Sequence, residues 1–361
     1  MAKRINKIQE FLDEKDIDAL LIKSKTVKKW MNTMTGSGCQ VLITKEHGYL
    51  IVDGRYITEA KEKEHDLEII LHNPHLTGRN YLGTVEEILK KENCKTLGVE
   101  AYQVLVKEYH EIEKLGIEVL LLDQEIALRI VKEDEEIEAM KKSIAITDEI
   151  YQKVIEHIHV GMSEYEISAL VQYYSIASGA QQMSFDTIVA TGERTALPHG
   201  RPTSRKVKAH EPIMIDFGIQ YQNYQSDMTR MCFIGEPDPK IKEIYDVVLK
   251  AQLAGLSAIK AGAKGKDVDK AARDVIEAAG YGEYFNHGLG HGLGIGEDGE
   301  GPTLNSKSET VLQEHMMMSC EPGVYVPGVG GVRIEDDVVI IDGVGVPLNK
   351  TTKDYIILED K

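Results

Sequence analysis

Cysteine is scarce in this chain: only four occur in 361 residues, Cys39, Cys94, Cys232 and Cys320, with no CxxC or CxxH spacing. Such a set supports neither a disulfide framework nor a thiolate zinc site and reads as buried free thiols. Long apolar runs are missing as well. No stretch approaches the roughly 18 apolar residues of a membrane span. The basic start Met1-Ala2-Lys3-Arg4 leads straight into an amphipathic pattern, without the apolar core of a secretory signal. A cytoplasmic location is expected. Positive charge is in deficit, with 42 Lys and Arg against 59 Asp and Glu and a formal net charge of -17. A chain this acidic repels phosphate backbones, and the densest basic cluster of its second half, Arg205-Lys206-Val207-Lys208, fits a solvated loop. Nucleic acid and membrane partners are therefore not expected. Tryptophan occurs once, as Trp30, and reads as packing, as does Met316-Met317-Met318.

What is present has the balance of a globular protein, 42% hydrophobic and 28% charged, in a length that suits two or three folding units. Ile5, Ile8, Phe11 and Leu12 have helical spacing over 4–15, and a buried strand follows at 17–22. Strand-like runs at 41–44, 49–52, 67–71, 97–99 and 117–122 alternate with helical stretches near 56–64, 81–91 and 102–115, which predicts an α/β domain ending near Leu128. A long helix is then predicted from Ile137 through Ile158. Ser163 and Glu166 have the spacing of a capping box that opens a second helix, closed by Gly179. Helices at about 240–260 and 267–279 and β-rich segments at 185–191, 213–217, 227–234, 316–326 and 331–341 make the second half α+β.

The chemistry lies in those strands. Asp216 sits in the apolar run Ile213-Met214-Ile215-Asp216-Phe217, and Asp227 follows eleven residues later beyond a polar turn, so that antiparallel pairing would bring the two together. Glu321, heading Pro322-Gly323-Val324-Tyr325, and Glu335, within Arg333-Ile334-Glu335-Asp336, repeat the theme in a second hairpin. One buried carboxylate is ordinarily a cap or half of an ion pair. Four in apolar strands must take up protons or gather cations, and a binuclear metal site resolves their repulsion. The run Asn286-His287-Gly288-Leu289-Gly290-His291-Gly292 adds imidazole on backbone that can approach closely. One histidine with four carboxylates is a mainly oxygen donor set, suited to manganese, cobalt, iron or zinc. A GxGxxG match at Gly294, Gly296 and Gly299 has no strand before it and no helix after it, so a dinucleotide site is not indicated. Cys320, beside Glu321, lacks an identifiable base and reads as a packed thiol.

Together these residues resemble the pita-bread metallopeptidases of the aminopeptidase P and prolidase (Xaa-Pro dipeptidase) branch. The motifs are Met34-Thr35-Gly36-Ser37-Gly38 and Val52-Asp53-Gly54-Arg55-Tyr56 in the first part, and Phe185-Asp186-Thr187, Leu197-Pro198-His199-Gly200, Asp216 with Asp227, His287 with His291, Glu321-Pro322-Gly323 and Arg333-Ile334-Glu335 in the second. The resemblance covers nearly the whole chain. It implies a creatinase-type α/β N-terminal domain over 1–128 and an α+β pita-bread catalytic domain over 129–361. By resemblance, Asp216 binds one metal ion, Asp227 and Glu335 bridge two, and His291 and Glu321 complete the ligand set. It also implies that Glu321 shuttles a proton, that His199 and His287 contact substrate, that Phe185 lies beside the proline pocket, and that Arg333 holds ligand carboxylates in place. Two divalent ions, manganese first with cobalt, zinc or iron as alternatives, an Xaa-Pro dipeptide or short-peptide substrate and a homodimer formed through the N-domain are expected.

One position departs from the pattern. A further active-site histidine normally follows the ligand His291 by seven residues, where this chain has Asp298, or Gly299 if one residue is inserted. No ligand position is touched. A metal-free creatinase-like hydrolase and a non-catalytic peptide-binding relative are the rival readings, and both normally lose ligands that this chain keeps.

Overall fold

In the first 128 residues, apolar runs too short for helices alternate with amphipathic stretches, and the runs become the strands of one sheet. The computed structural model describes residues 2–63, 65–78, 80–122, 128–296 and 300–359 and divides into two compact units, Met1–Leu128 and Arg129–Lys361. The first unit runs α1 (Ala2–Lys15), β1 (Ala19–Ile22), α2 (Lys25–Trp30), β2 (Cys39–Thr44), β3 (Gly48–Val52), α3 (Ile57–Glu62), β4 (Glu68–Leu71), α4 (Pro74–Thr77), α5 (Tyr81–Lys91), β5 (Thr96–Glu100), α6 (Val106–Ile112) and β6 (Glu118–Leu122). Its strands order as β4-β3-β2-β1-β5-β6. The pairs β1–β2 and β2–β3 are antiparallel, and the outer pairs are parallel. Leu21, Leu42, Ile51 and Val99 of the sheet pack with Val85 and Leu89 of α5. Helices α2 and α4 have no counterpart among the sequence-based expectations, since one turn or so shows no period. Trp30, ending α2, is buried.

The second unit comprises α7 (Asp134–Ile155), α8 (Glu164–Ala177), β7 (Gln182–Met183), β8 (Ile188–Thr191), β9 (Pro212–Phe217), β10 (Ile219–Tyr221), β11 (Tyr224–Gln225), β12 (Met228–Ile234), α9 (Pro239–Ala258), α10 (Gly265–Ala278), β13 (Met317–Cys320), β14 (Gly323–Val326), β15 (Gly330–Arg333), β16 (Asp336–Ile341), β17 (Val344–Pro347) and β18 (Ile356–Leu358). Ser163 caps α8 through Glu166 N–H while the Glu166 carboxylate accepts from Ser163 N–H, and Gly179, at φ +84°, turns the chain out of it.

Strand periodicity places Asp216. On β9, Ile213, Ile215 and Phe217 pack with Ile150 and Val154 of α7 and Ile167 and Val171 of α8. Met214, on the other face, joins Met231 and Phe233 of β12 in a core with Tyr245 and Val248 of α9 and Ala272 of α10. Asp216 shares Met214's parity, and the register sets it opposite Thr229 of β12. The second hairpin is not continuous, as the ranges 316–326 and 331–341 had implied. It is laddered as β13–β16 up to Cys320↔Asp336 and again as β14–β15 from Gly323↔Arg333, and the two ladders belong to different sheets. Pro322, with no N–H to donate, lies at the break. Glu321 and Glu335 therefore face each other where the hairpin changes sheets. The strand expected over 185–191 begins at Ile188; Phe185 and Asp186 line a cleft instead.

Glu164, the first residue of α8, is fully buried. One carboxylate oxygen accepts from Thr191 N (2.9 Å) and Oγ1 (3.0 Å), and the other from Thr203 N (2.9 Å), Thr203 Oγ1 (2.7 Å) and the Arg194 guanidinium. It ties the helix to β8 and to both flanks of the segment that carries His199. Glu164→Ala should cost about 3 kcal/mol, because it strands buried donors and a cation. Urea unfolding measures this, and an unchanged midpoint would refute the anchoring role.

Candidate metal centre and substrate cleft

Four carboxylates, Asp216 within β9 and Asp227, Glu321 and Glu335 beside the ends of strands, meet one imidazole in the second unit. One donor atom each of Asp227, His291 and Glu335 lie within 4.8 Å of one another. His291 Nε2 is 3.5 Å from Asp227 Oδ2 and 3.3 Å from Glu321 Oε1. Asp216 is joined to Glu335 through cationic and hydroxyl partners. The buried Arg333 guanidinium donates to Asp216 Oδ2, and its Nε donates to Thr229 Oγ1 (2.9 Å), which in turn donates to Glu335 Oε2 (2.7 Å). Glu335 is also gripped by its backbone, its N–H donating to Thr229 O (3.3 Å) and its carbonyl accepting from the buried Arg230. Asp227 N–H donates to Asp337 Oδ2 (2.9 Å), and Ser319 Oγ donates to Glu321 Oε1 (3.0 Å).

The glycine-rich segment explains how His291 reaches this group. Ser319 N donates to His291 O (2.8 Å), and His291 N donates to Ser319 Oγ (3.0 Å), so the segment lies against β13. A Cβ on Gly290 would stand 2.1 Å from Ser319 O, and one on Gly292 1.8 Å from Gly301 O. Only glycine permits that approach. Gly294 has a similar reason: a Cβ there would meet the buried Glu300 carboxylate at 2.1 Å. That carboxylate accepts from Ile295 N (2.8 Å), Gly296 N (3.0 Å), Arg129 (2.8 Å) and Lys132 (3.1 Å).

The electrostatics are those of an anion-rich pocket. Burial, with Asp227 as a neighbour, pushes the Asp216 carboxyl up to about 6 despite Arg333. Burial and neighbouring carboxylates raise Glu335 well above the usual range, and Asp227 is also raised, mainly by burial. For His291 burial acts downward but is outweighed by the hydrogen bond to Asp227 and the charges of Glu321 and Asp227, which lift the imidazole to about 10. Asp216 Oδ1 and Glu335 Oε1 are buried without a hydrogen-bond partner among the described residues. Acceptors with no donor, crowded carboxylates and a single imidazole fit divalent cations with a preference for oxygen.

All five groups open into one cleft of about 1350 Å³, whose walls include Phe185, Leu197, His199, His287 and Leu293. His199 is exposed, and its ring has no hydrogen-bond partner among the described residues. His287 differs. Its Nδ1 lies 2.7 Å from Gly288 O and its Nε2 3.0 Å from Tyr325 OH. A carbonyl can only accept, so Nδ1 carries the proton, and Nε2 accepts from Tyr325, whose oxygen is in turn held by Arg333 (2.8 Å). Burial pushes the His287 imidazole down, which favours the neutral ring this chain of bonds requires.

Two family models match the chain: "Metallopeptidase family M24" over 138–342 and "Creatinase/Prolidase N-terminal domain" over 4–131. The chain belongs to metallopeptidase family M24. It is an enzyme of the metallopeptidase class, with the creatinase N-domain followed by the pita-bread fold. Among its relatives, an Xaa-Pro dipeptidase of Pyrococcus furiosus is 38% identical, over 99% of this chain and 100% of the relative. A solved Xaa-Pro dipeptidase from Bacillus anthracis superposes with a TM-score of 0.94 at 36% identity, covering 99% of both chains. An X-Pro aminopeptidase from Thermotoga maritima gives 0.89 at 35% identity, covering 95% of this chain and 98% of the other.

Every residue singled out for this M24 site, from Phe185 to Glu335, lines the cleft. Asp298 and Gly299 lie outside the described residues. Sequence reasoning missed Thr229, Ser319, Tyr325 and Asp337. Thr229 and Ser319 stand two residues from Asp227 and Glu321, on the same strand face, so the period of two was the available signal. Asp337, two residues from Glu335, carried the same signal, and Tyr325 had none. Thr229→Val keeps the shape and removes the hydroxyl between Arg333 and Glu335. It should destabilise the metal-free protein by about 1–3 kcal/mol, since both buried partners lose a bond. Urea unfolding checks this, and wild-type stability in the variant would remove Thr229 from the account.

Proposed function

We propose that this chain hydrolyses the Xaa-Pro bond of dipeptides or short peptides with two divalent metal ions held by Asp216, Asp227, His291, Glu321 and Glu335, Asp227 and Glu335 serving both ions. The observation that carries the proposal is the meeting of four carboxylates and one imidazole, some oxygens without partners among the described residues, in the same cleft as Phe185 and His199. The names of the relatives, Xaa-Pro dipeptidase and X-Pro aminopeptidase, support the substrate class. On the resemblance alone, the proposal extends to manganese as the first metal, a cytoplasmic location and a homodimer. The catalytic unit is 129–361, since every site residue falls there, with 1–128 as the creatinase-type unit.

When bound, the two ions supply Lewis acidity toward the scissile carbonyl and lower the pKa of a water. The remaining work belongs to side chains. The bond before proline is a tertiary amide on a constrained ring, without an N–H for a peptidase to grip. Phe185 and the His287 ring form the wall that accepts such a ring. Glu321, whose side chain is 17% exposed, reaches the cleft and carries the proton lost by the attacking water to the departing proline nitrogen. His199, whose ring is free of other bonds among the described residues, donates toward the carbonyl oxygen as negative charge develops there. Arg333 keeps Asp216 and, through Thr229, Glu335 aimed inward.

The test is hydrolysis of Ala-Pro, Ala-Pro-Ala and Ala-Ala by protein loaded with manganese, cobalt or zinc. Cleavage confined to the proline substrates, abolished by a chelator and restored by metal, is the expected result. Stoichiometric metal without cleavage would favour a binding relative. Asp227→Ala is expected to lose at least one of two ions by elemental analysis, and full occupancy in that variant would overturn the bridging assignment. His199→Ala should lower kcat by about 10²–10⁴ with metal content unchanged. Wild-type turnover there would exclude His199 from the chemistry.

A further inference from the structure

Helix α10 carries Asp269 and Arg273 one turn apart, a spacing that on an exposed helix gives a weak surface pair. Here the pair is turned inward. The Asp269 side chain is 1% exposed and that of Arg273 22%. Arg273 Nε donates to Asp269 Oδ2 (2.8 Å) and its NH2 to Oδ1 (3.0 Å), a two-pronged bridge. The remaining valences reach the chain that forms the cleft wall. Arg273 NH1 donates to Phe285 O (3.0 Å), NH2 donates to His287 O (2.8 Å), and Asp269 Oδ1 accepts from Leu289 N (3.0 Å). The guanidinium also lies 4.1 Å from the centre of the Phe285 ring, which meets the His287 ring edge-on at 5.0 Å and 89°. Three alternate residues of one segment, 285, 287 and 289, are thus held by one ion pair. Beyond them, Leu289 O accepts from Glu321 N (2.8 Å).

We propose that the Asp269–Arg273 pair is the positioning element for the His287 wall of the cleft, acting through the backbone of 285–289 and the Phe285 ring. The bidentate geometry suits this, because a planar guanidinium fixes direction as well as charge. Both nitrogens of the His287 ring are already engaged, so the wall contributes to binding rather than to proton transfer. Loosening it should therefore act on KM. This inference rests on the Xaa-Pro reading of the cleft for its kinetic arm only.

Arg273→Met keeps the aliphatic stem and removes the donors, and Arg273→Lys keeps the charge without the fork. The expected result for Arg273→Met is a KM for the Xaa-Pro substrate raised about tenfold, kcat within about twofold of wild type, and unchanged metal content, with Arg273→Lys intermediate. In the double variant Arg273→Met/His287→Ala, KM should match that of His287→Ala alone within about twofold, because the pair acts through that residue. A purely structural role predicts multiplicative effects and no separation of KM from kcat, and either result overturns the proposal. Hydrogen exchange gives an arm independent of activity. Amides of 285–292 should exchange at least tenfold faster in Arg273→Met while those of α10 keep wild-type rates, and unchanged exchange at 285–292 also overturns the proposal. If wild type cleaves no Xaa-Pro bond, the functional reading falls and the exchange arm alone decides the positioning role. Should Arg273→Met fail to fold, Asp269→Asn, which keeps an acceptor but loses the charge, undergoes the same measurements: faster exchange at 285–292 with a raised KM supports the positioning role, and wild-type values of both overturn it.

Discussion

Mutual repulsion among buried carboxylates is the constraint around which the second unit is built. Asp216, Asp227, Glu321 and Glu335 are kept together by partners aimed at them from behind: Arg333 on Asp216, Thr229 on Glu335, Ser319 on Glu321 and, through the backbone, Asp337 on Asp227. These partners occupy some lone pairs and leave Asp216 Oδ1 and Glu335 Oε1 unmatched among the described residues. A group arranged in this way has its anionic face determined before any cation arrives. That is the sense in which a metal site is preorganised: the cost of bringing like charges together is met by folding, and binding recovers it.

The same logic recurs further from the cleft. Asp336, adjacent to Glu335, is buried and accepts from Arg230, Gln252 and Lys353, while Asp148 accepts from the N–H groups of Lys350 and Thr351. Arg230 also donates to the carbonyls of Thr351 and Glu335, so the segment 350–354, β12 and the chain at Glu335 share one buried polar network. Each group in it is costly to strand, and none can move without uncovering another. A stiff backing of this kind suits a centre whose geometry must survive the binding and release of substrate.

Much of this was legible in the residues and some was not, for identifiable reasons. Carboxylates interrupting apolar runs of sequence, at Asp216 and Glu335, contradict their surroundings and so announce themselves; the alternation that buried Ile213 and Ile215 on one face already set Asp216 on the other. Glycine beside His291 was informative because a residue without a side chain must be there for space. The long helices showed their period, whereas α2, α4 and β18 are too short to show one. The division of the second hairpin between two sheets was hidden because apolar residues continue on both sides of the break, and only Pro322 hinted at it. Residues that act through others, such as Tyr325, Asp269 and Arg273, look ordinary in sequence: an Asp and an Arg four apart on an amphipathic helix are what any surface helix carries. Their role appears only when their hydrogen bonds are followed to the chain they hold.

The sheet change at Pro322 limits how this hairpin can vary. Glu321 and Glu335 sit between two ladders, each in fixed register, with Cys320 opposite Asp336 on one side and Gly323 opposite Arg333 on the other. Inserting one residue in either arm would slip a ladder by one step and turn a carboxylate away from its partner. Only the tip between Val326 and Gly330 lies beyond both ladders. Length variation is therefore confined to those few positions, where the chain can grow or shrink without altering the spacing between the two carboxylates.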